Sequence, residues 1–262
     1  MSELTTGLFA ARRDRWVSLL EADPELGRDV DAVSAPAAAR AAQVRVIPLE
    51  PGAWSPEPDA PASGALGVIV LEGVLCRTVM FGDVGSDELV GRGDVFYPWA
   101  GAIDSTVLEA SVSWCVVEPA EVAVLDRHLM LAIAPWPELT AQIVYRYGAR
   151  SRLQGALAAT AHVKRVDIRL LALFWYLAER WGRVTPEGIV IPVRLTHTRL
   201  ARLVGAQRPS VTTVLSRMAR DGTLKRWPAG GFVLGAESIA VLEELGKQSQ
   251  HGAVPPPGSD DG

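Results

Sequence analysis

Cysteine is scarce: only Cys76 and Cys115 occur in 262 residues. Both sit inside strand-like apolar runs, and buried reduced thiols are the expected reading over a redox pair. Two cysteines also exclude an iron–sulfur cluster held within one chain. The four histidines, His128, His162, His197 and His251, share no metal-ligand spacing, so neither a zinc nor a haem site is expected. No apolar run approaches the ~20 residues that span a bilayer. The opening Met-Ser-Glu-Leu-Thr lacks the basic-then-apolar pattern of an export signal. The expected location is the cytoplasm, without a membrane partner. Nearly half the residues are apolar, enough for two modest globular domains, each with a core.

Acidic and basic residues are unevenly divided. Residues 161–235 hold thirteen Lys/Arg against four Asp/Glu, whereas residues 1–160 hold twelve against twenty-one. The formal charge of −4 therefore hides a basic C-terminal module on an acidic body. Basic charge gathered on one domain is the footprint of phosphate binding.

Within the basic module, residues 196–218 read as two short helices joined by a tight turn. Thr196 is placed to cap the first, with Leu200, Leu203 and Val204 on its apolar face. Gly205 stands where a left-handed backbone is required. Pro209 suits the first turn of the second helix, where its missing N–H costs nothing. Val211, Val214, Leu215 and Met218 then form an i, i+3, i+4, i+7 stripe, while Pro209, Thr212, Thr213, Ser216 and Arg217 point away from it. Ala201 is small where the helices cross. This is the pattern of a helix-turn-helix, whose second helix presents its N-terminal residues to the major groove of double-stranded DNA. A helix end at Gly222, a strand, a Pro228–Gly231 turn and a return strand over Phe232–Leu234 predict a wing.

The remaining pattern predicts the architecture around it. Residues 8–31 read as helical, with Leu8, Trp16, Leu19 and Leu20 on one side and Pro24 interrupting; an Ala-rich piece follows at 35–42. Strands are expected at 44–49, 67–72, 74–81, 88–90, 106–110, 112–117 and 120–125, punctuated by glycine, as in a β-sandwich or small barrel. Residues 54–64 read as a loop. A short helix carries Leu129, Leu131 and Ile133, and a long one runs from Glu138 to about Thr160. Leu139, Ile143, Tyr147, Leu153 and Leu157 give the long helix an apolar side suited to a dimer seam; packing back on its own β domain is the alternative. A further helix over 167–181 is expected to bury Ile168, Leu171, Phe174, Trp175 and Ala178, and residues 189–193 read as a strand.

An N-terminal β module, a long connecting helix and a C-terminal winged helix together resemble the Crp/Fnr family of bacterial transcription regulators. The resemblance is most specific in Arg169-Leu-Leu-Ala-Leu-Phe-Trp, Ile191-Pro-Val-Arg-Leu-Thr196, Leu200-Ala201, Val204-Gly205-Ala206 and Arg208-Pro209-Ser210-Val211. Val70–Leu75 and Gly91–Phe96 resemble the β-roll of cyclic-nucleotide-binding domains. The implied class is α+β: a helical segment (1–40), a jelly-roll-like β-roll, or double-stranded β-helix (41–128), a short helix plus dimerisation helix (129–161), a winged helix-turn-helix (162–245) and a disordered tail (246–262).

By the same resemblance the protein is a homodimer reading a pseudo-palindromic operator, with RNA polymerase as a partner if it activates. Thr196 and Ser210 would hold phosphates, and Gln207, Arg208, Thr212 and Thr213 would approach base edges, with Arg208 placed for guanine. His197 is close enough to meet a phosphate, and Lys225 and Arg226 near the wing would touch the backbone. The best-known member carries Glu and Arg where this chain has Pro209 and Thr213, so its base preference does not transfer. Cyclic AMP in the usual mode is disfavoured. In the matching stretch Gly93-Asp94 precedes Asp104-Ser105, and a carboxylate at 104 would repel the phosphate that an arginine normally holds. An apolar pocket near Tyr97, Trp99 and Trp114 would suit a hydrophobic or aromatic effector, with Asp94, Asp104 and Ser105 beside it; a β domain that works without a ligand is the alternative. No cofactor and no catalysis are expected. A metal-dependent cupin-like enzyme and a ligand-binding adaptor built on the β domain are the competing readings.

Overall fold

The computed structural model describes residues 15–56, 65–99, 109–228, 230–235 and 237–238. The chain forms two compact units, residues 1–154 and 155–262. Among the described residues no helix is long and apolar enough to cross a membrane.

The first unit runs β1 (Arg15–Ser18), α1 (Leu19–Ala22), a 3-10 turn (Pro24–Gly27), α2 (Ala35–Ala41), β2 (Gln43–Leu49), β3 (Gly52–Trp54), β4 (Gly67–Phe81), β5 (Val84–Gly91), β6 (Val95–Phe96), β7 (Ala110–Leu125) and α3 (Arg127–Ala132). It also holds most of α4 (Pro137–Ala161), whose last turns belong to the second unit. The strands make one antiparallel sheet in the order β1-β2-β7-β4-β5, with β3 added to β7 and β6 to β4.

Period-two alternation divides the side chains between two cores. On one face Val68, Val70, Leu75, Val90, Phe96, Trp114, Val116 and Val122 pack together. On the other, Val44, Val46, Ile69, Leu71, Ala123 and Leu125 are covered by Leu19, Leu26 and Ala38 from the N-terminal segment and by Leu129, Ile133, Leu139 and Ile143 from α3 and α4.

Several expectations change. Residues 15–18 are a strand, not part of a helix, because they pair with β2 from Arg15↔Val46 to Ser18↔Gln43. Trp16, expected on a buried side, is 64% exposed there, and only four-residue helical pieces follow. Residues 8–14 lie outside the described residues. The candidates at 67–72 and 74–81 are one strand, which continues through register shifts between Val70 and Leu75. Gly73 permits this: its φ is +83°, and a Cβ there would lie 2.1 Å from the Pro119 carbonyl oxygen. Residues 112–117 and 120–125 likewise merge in β7. Of the candidate at 106–110, residues 106–108 lie outside the described residues, as do 57–64 of the expected loop and the tail from 246.

The second unit contains α5 (Val166–Trp181), β8 (Arg183–Thr185), β9 (Gly188–Ile191), α6 (His197–Leu203), α7 (Arg208–Arg220), β10 (Leu224–Arg226) and β11 (Phe232–Leu234). Its sheet has the order β10-β11-β9-β8. The buried side of α5 is Leu170, Leu171, Leu173, Phe174, Leu177 and Ala178. The expected stripe was rotated: Ile168 and Trp175 are only half-buried, because the sheet draws the helix in around Phe174, which packs on Phe232 at 4.7 Å between ring centroids.

Candidate nucleic-acid interface

Helix α6 starts at Thr196, whose hydroxyl oxygen accepts the Arg199 N–H at 3.2 Å. Its C-terminal carbonyls need partners as well. Arg169 of α5 provides them, donating through Nη1 to Val204 O at 2.9 Å and to Gly205 O at 2.8 Å. Gly205 itself has φ +58°. The turn between the two helices is thereby fixed from beneath by a charged donor. The sequence showed Arg169 as part of a motif but not this duty.

Helix α7 begins Arg208-Pro209, with the proline in its first turn. Val211, Leu215 and Met218 are buried and Val214 is half-buried, while Gln207, Arg208, Pro209, Ser210, Thr212, Thr213, Ser216 and Arg217 are exposed. The hydroxyls on that exposed face are committed. Thr212 donates to Arg208 O, Thr213 to Pro209 O and Ser216 to Thr212 O, at 3.1, 3.1 and 2.9 Å. Their oxygens therefore present lone pairs outward, and the threonines also present methyls.

His197, half-buried on α6, bonds across the crossing to Thr212, with Nδ1 2.9 Å from the hydroxyl oxygen. Burial first, and then the charges of Arg226 and Arg208, lower the pKa of His197. In the wing, Lys225 and Arg226 are exposed, and the Arg226 guanidinium lies over the Phe232 ring at 4.4 Å.

One acidic residue belongs to this face. Asp167, at the start of α5, accepts from Arg165 Nη2 at 2.7 Å and from Arg217 Nη2 at 2.6 Å. The hydrogen bond from Arg165 is the main cause holding its carboxyl below the usual carboxylate range. Arg165, Asp167, Pro209, Ser210, Thr213 and Arg217 line an open groove. No local pattern signals the Asp167–Arg217 contact, whose partners are 50 residues apart.

Residues 168–234 match the family model of the Crp-like helix-turn-helix domain. The second unit therefore carries a DNA-binding domain of the Crp-like helix-turn-helix kind. Solved structures with a similar fold include a CooA mutant of Carboxydothermus hydrogenoformans, with 17% identity over 87% of this chain and 95% of that one and a TM-score of 0.60. A CRP-family transcriptional regulator of Thermus thermophilus shares 18% identity over 76% and 96%, with a TM-score of 0.57. The c-di-GMP-responsive global regulator CLP of Xanthomonas campestris shares 18% over 79% and 100%, with a TM-score of 0.55. No curated protein matches the chain.

In the first unit the expected effector residues among the described ones do not form one site. Asp94 is a brace, its carboxylate accepting the Gly91 N–H at 2.8 Å. Trp114 is 7% exposed and stacks on Phe96 at 4.4 Å, so it belongs to the core and not to a pocket. Tyr97 is 48% exposed and meets Trp99 edge-on at 5.0 Å. Trp99 does line a cavity of about 150 Å³, together with Arg45, Ile47, Trp54, Val68 and Val124. Asp104 and Ser105 lie outside the described residues.

The dimer seam also needs correction. Leu139 and Ile143 are 3% and 1% exposed, and with Tyr147 they pack on the core of their own β unit. Tyr147 donates its hydroxyl proton to Leu66 O, and burial pushes its pKa up to about 12. Arg146 joins Asp23, and Arg150 grips Glu88 through Nε and Nη2, each at 2.7 Å. These residues share the side of α4 that packs on its own β unit. Leu153 and Leu157, on the continuation of that side, are half-buried. Val144 and Tyr145 are 57% and 56% exposed on the opposite side.

Proposed function

We propose that the protein acts as a homodimer on a pseudo-palindromic operator, one α7 entering the major groove at each half-site. The observation that carries this reading is the division of α7: Val211, Leu215 and Met218 close the core, while its first two turns turn Arg208, Ser210, Thr212 and Thr213 to solvent. Arg208 reads guanine through its fork of donors, and Gln207 reaches the neighbouring base edge. The back-bonded threonines accept from adenine N6 or cytosine N4 and place methyls against thymine. Thr196, His197, Ser210, Arg217, Lys225 and Arg226 hold phosphates and set the register.

The dimer forms through the outward side of α4. At 3.6 residues per turn, Ala141, Val144, Tyr145, Gly148, Arg152 and Gly155 share that side, and its small residues permit close approach of a second copy. The cavity beside Trp54 and Trp99 takes a small, mainly apolar effector. The protein works in the cytoplasm, contacts RNA polymerase where it activates, and catalyses no reaction. A metal-dependent enzyme would need three converging ligands; among the described residues no such cluster occurs, and metal analysis of the purified protein tests the rest.

Selection of duplexes from a random pool by the purified protein, followed by sequencing, tests recognition and symmetry together. The expected product is two inverted half-sites with centres about 34–36 Å apart, or a multiple of that spacing. A pool that stays random through successive rounds would overturn specific recognition, and single unpaired half-sites would overturn the dimer.

A further inference from the structure

We infer that Cys76 and Cys115 form a site of reversible oxidation, closing to an intrachain disulfide between neighbouring strands. Although 39 positions apart in the chain, they are direct partners in the β4–β7 register. Directly opposed residues of antiparallel strands have Cα atoms about 4.5 or 5.5 Å apart, according to whether the pair is outside or inside the hydrogen-bonded rings. Either separation lies within the range of about 4.4–6.8 Å that a disulfide spans. Opposed residues also project to the same face. Their Cβ atoms start about 4.5–5.5 Å apart, against about 3.8 Å in a typical bridge. Closure therefore requires a movement on the order of 1 Å and leaves a strained, readily reduced bond.

The surroundings assign the order of events. Across the sheet the residues run Ala53, Cys115, Cys76 and Leu89, each paired with the next. Ala53 is exposed and small, and Cys115 beside it is half-buried, whereas Cys76 is fully buried. Both are thiols here. Cys76 Sγ donates to Arg77 O at 3.8 Å and Cys115 Sγ to Val116 O at 3.5 Å, both weak bonds. With a peroxide as oxidant, the Cys115 thiol takes one oxygen, giving a sulfenic acid and one molecule of water or alcohol. The Cys76 sulfur then attacks the Cys115 sulfur. The S–O bond breaks, and the departing hydroxide takes the Cys76 proton as a second water. Two thiols have lost two electrons and two protons to the peroxide.

The purified full chain is treated at neutral pH with a slight excess of hydrogen peroxide, then with an alkylating reagent, and examined by intact mass and non-reducing peptide mapping. The expected product is a single chain lighter by two hydrogen atoms, unalkylated at both cysteines, yielding one linked peptide pair carrying Cys76 and Cys115. Dithiothreitol restores two alkylatable thiols. In Cys76→Ser, Cys115 gains oxygen; in Cys115→Ser, Cys76 stays unmodified. The proposal is overturned if both cysteines of the wild-type chain remain alkylatable, if the link joins two chains, or if it forms only in denaturant.

Discussion

Replacing Ile143 and Tyr145, two residues apart on α4, separates the side of the helix that holds the β unit from the side proposed to meet a second copy. Ile143 is 1% exposed within the core of the β unit. Truncation to alanine removes three buried carbons, about 2.4 kcal/mol at ~0.8 kcal/mol each. The cavity left behind adds to this, bringing the expected loss to about 3–4 kcal/mol. For a unit of this size that lowers Tm by roughly 6–16 °C. Tyr145 is 56% exposed with Arg152 over its ring at 5.6 Å. Tyr145→Glu should change the stability of the dissociated chain by no more than about 0.5 kcal/mol. Because a two-fold seam carries the change twice and a buried aromatic anchor contributes about 2 kcal/mol or more, the dimer Kd should rise by about 1,000-fold. Circular dichroism melts and sedimentation velocity over a dilution series measure both quantities. Melting is followed in the Tyr145→Glu background, so that dissociation does not contribute to Tm. If Ile143→Ala dissociates the dimer and leaves that Tm unchanged, the reasoning about the two sides of α4 is wrong.

Further predictions concern the DNA-binding unit. Arg208→Ala should cost about 1–3 kcal/mol per half-site and relax the preference at one base pair. Lys225→Ala should weaken all sequences alike and reduce the salt slope by about one per chain; fluorescence anisotropy at several salt concentrations distinguishes the two. The lowered pKa of His197 means that its neutral form supports the fold above 6.5, and that this contribution is lost as pH falls through the folded value. A phosphate beside it reverses the preference, so DNA affinity should rise as pH is lowered through the histidine range, and His197→Gln should flatten that slope; a slope retained in the variant removes His197 from the interface. Gly205→Ala forces a Cβ into a φ of +58°, 3.4 Å from the Ala161 methyl, and should destabilise the second unit by about 1–2 kcal/mol, read from its urea midpoint. An unchanged midpoint would mean the turn is not held as described.

The helix pair was legible in the sequence because each of its signals is local. Thr196 caps, Gly205 turns, Pro209 starts a helix, and the Val211-Leu215-Met218 stripe repeats at the helical period. No distant residue is needed to interpret them. The candidate DNA face follows from the same periodicity, since whatever is off the stripe is exposed. Arg169, Asp167 and the partner of His197 were not legible as a group, because their contacts join helices that only the packed core brings together.

The N-terminal half shows the opposite case. Trp16 and Leu19 fit a helical pattern, yet a free edge on β2 converts residues 15–18 into a strand. The apolar side of α4 is legible as apolar, but its neighbour is not: spacing shows that Leu139, Ile143 and Tyr147 share a side and leaves both a second copy and the chain's own β unit open to cover it. The sequence alone determined periodicity, caps and the segregation of charge, all set by interactions within a few residues along the chain. Which apolar surface meets which, and that Cys76 lies opposite Cys115, was decided by tertiary packing, because strand register and helix docking depend on partners far away in the chain.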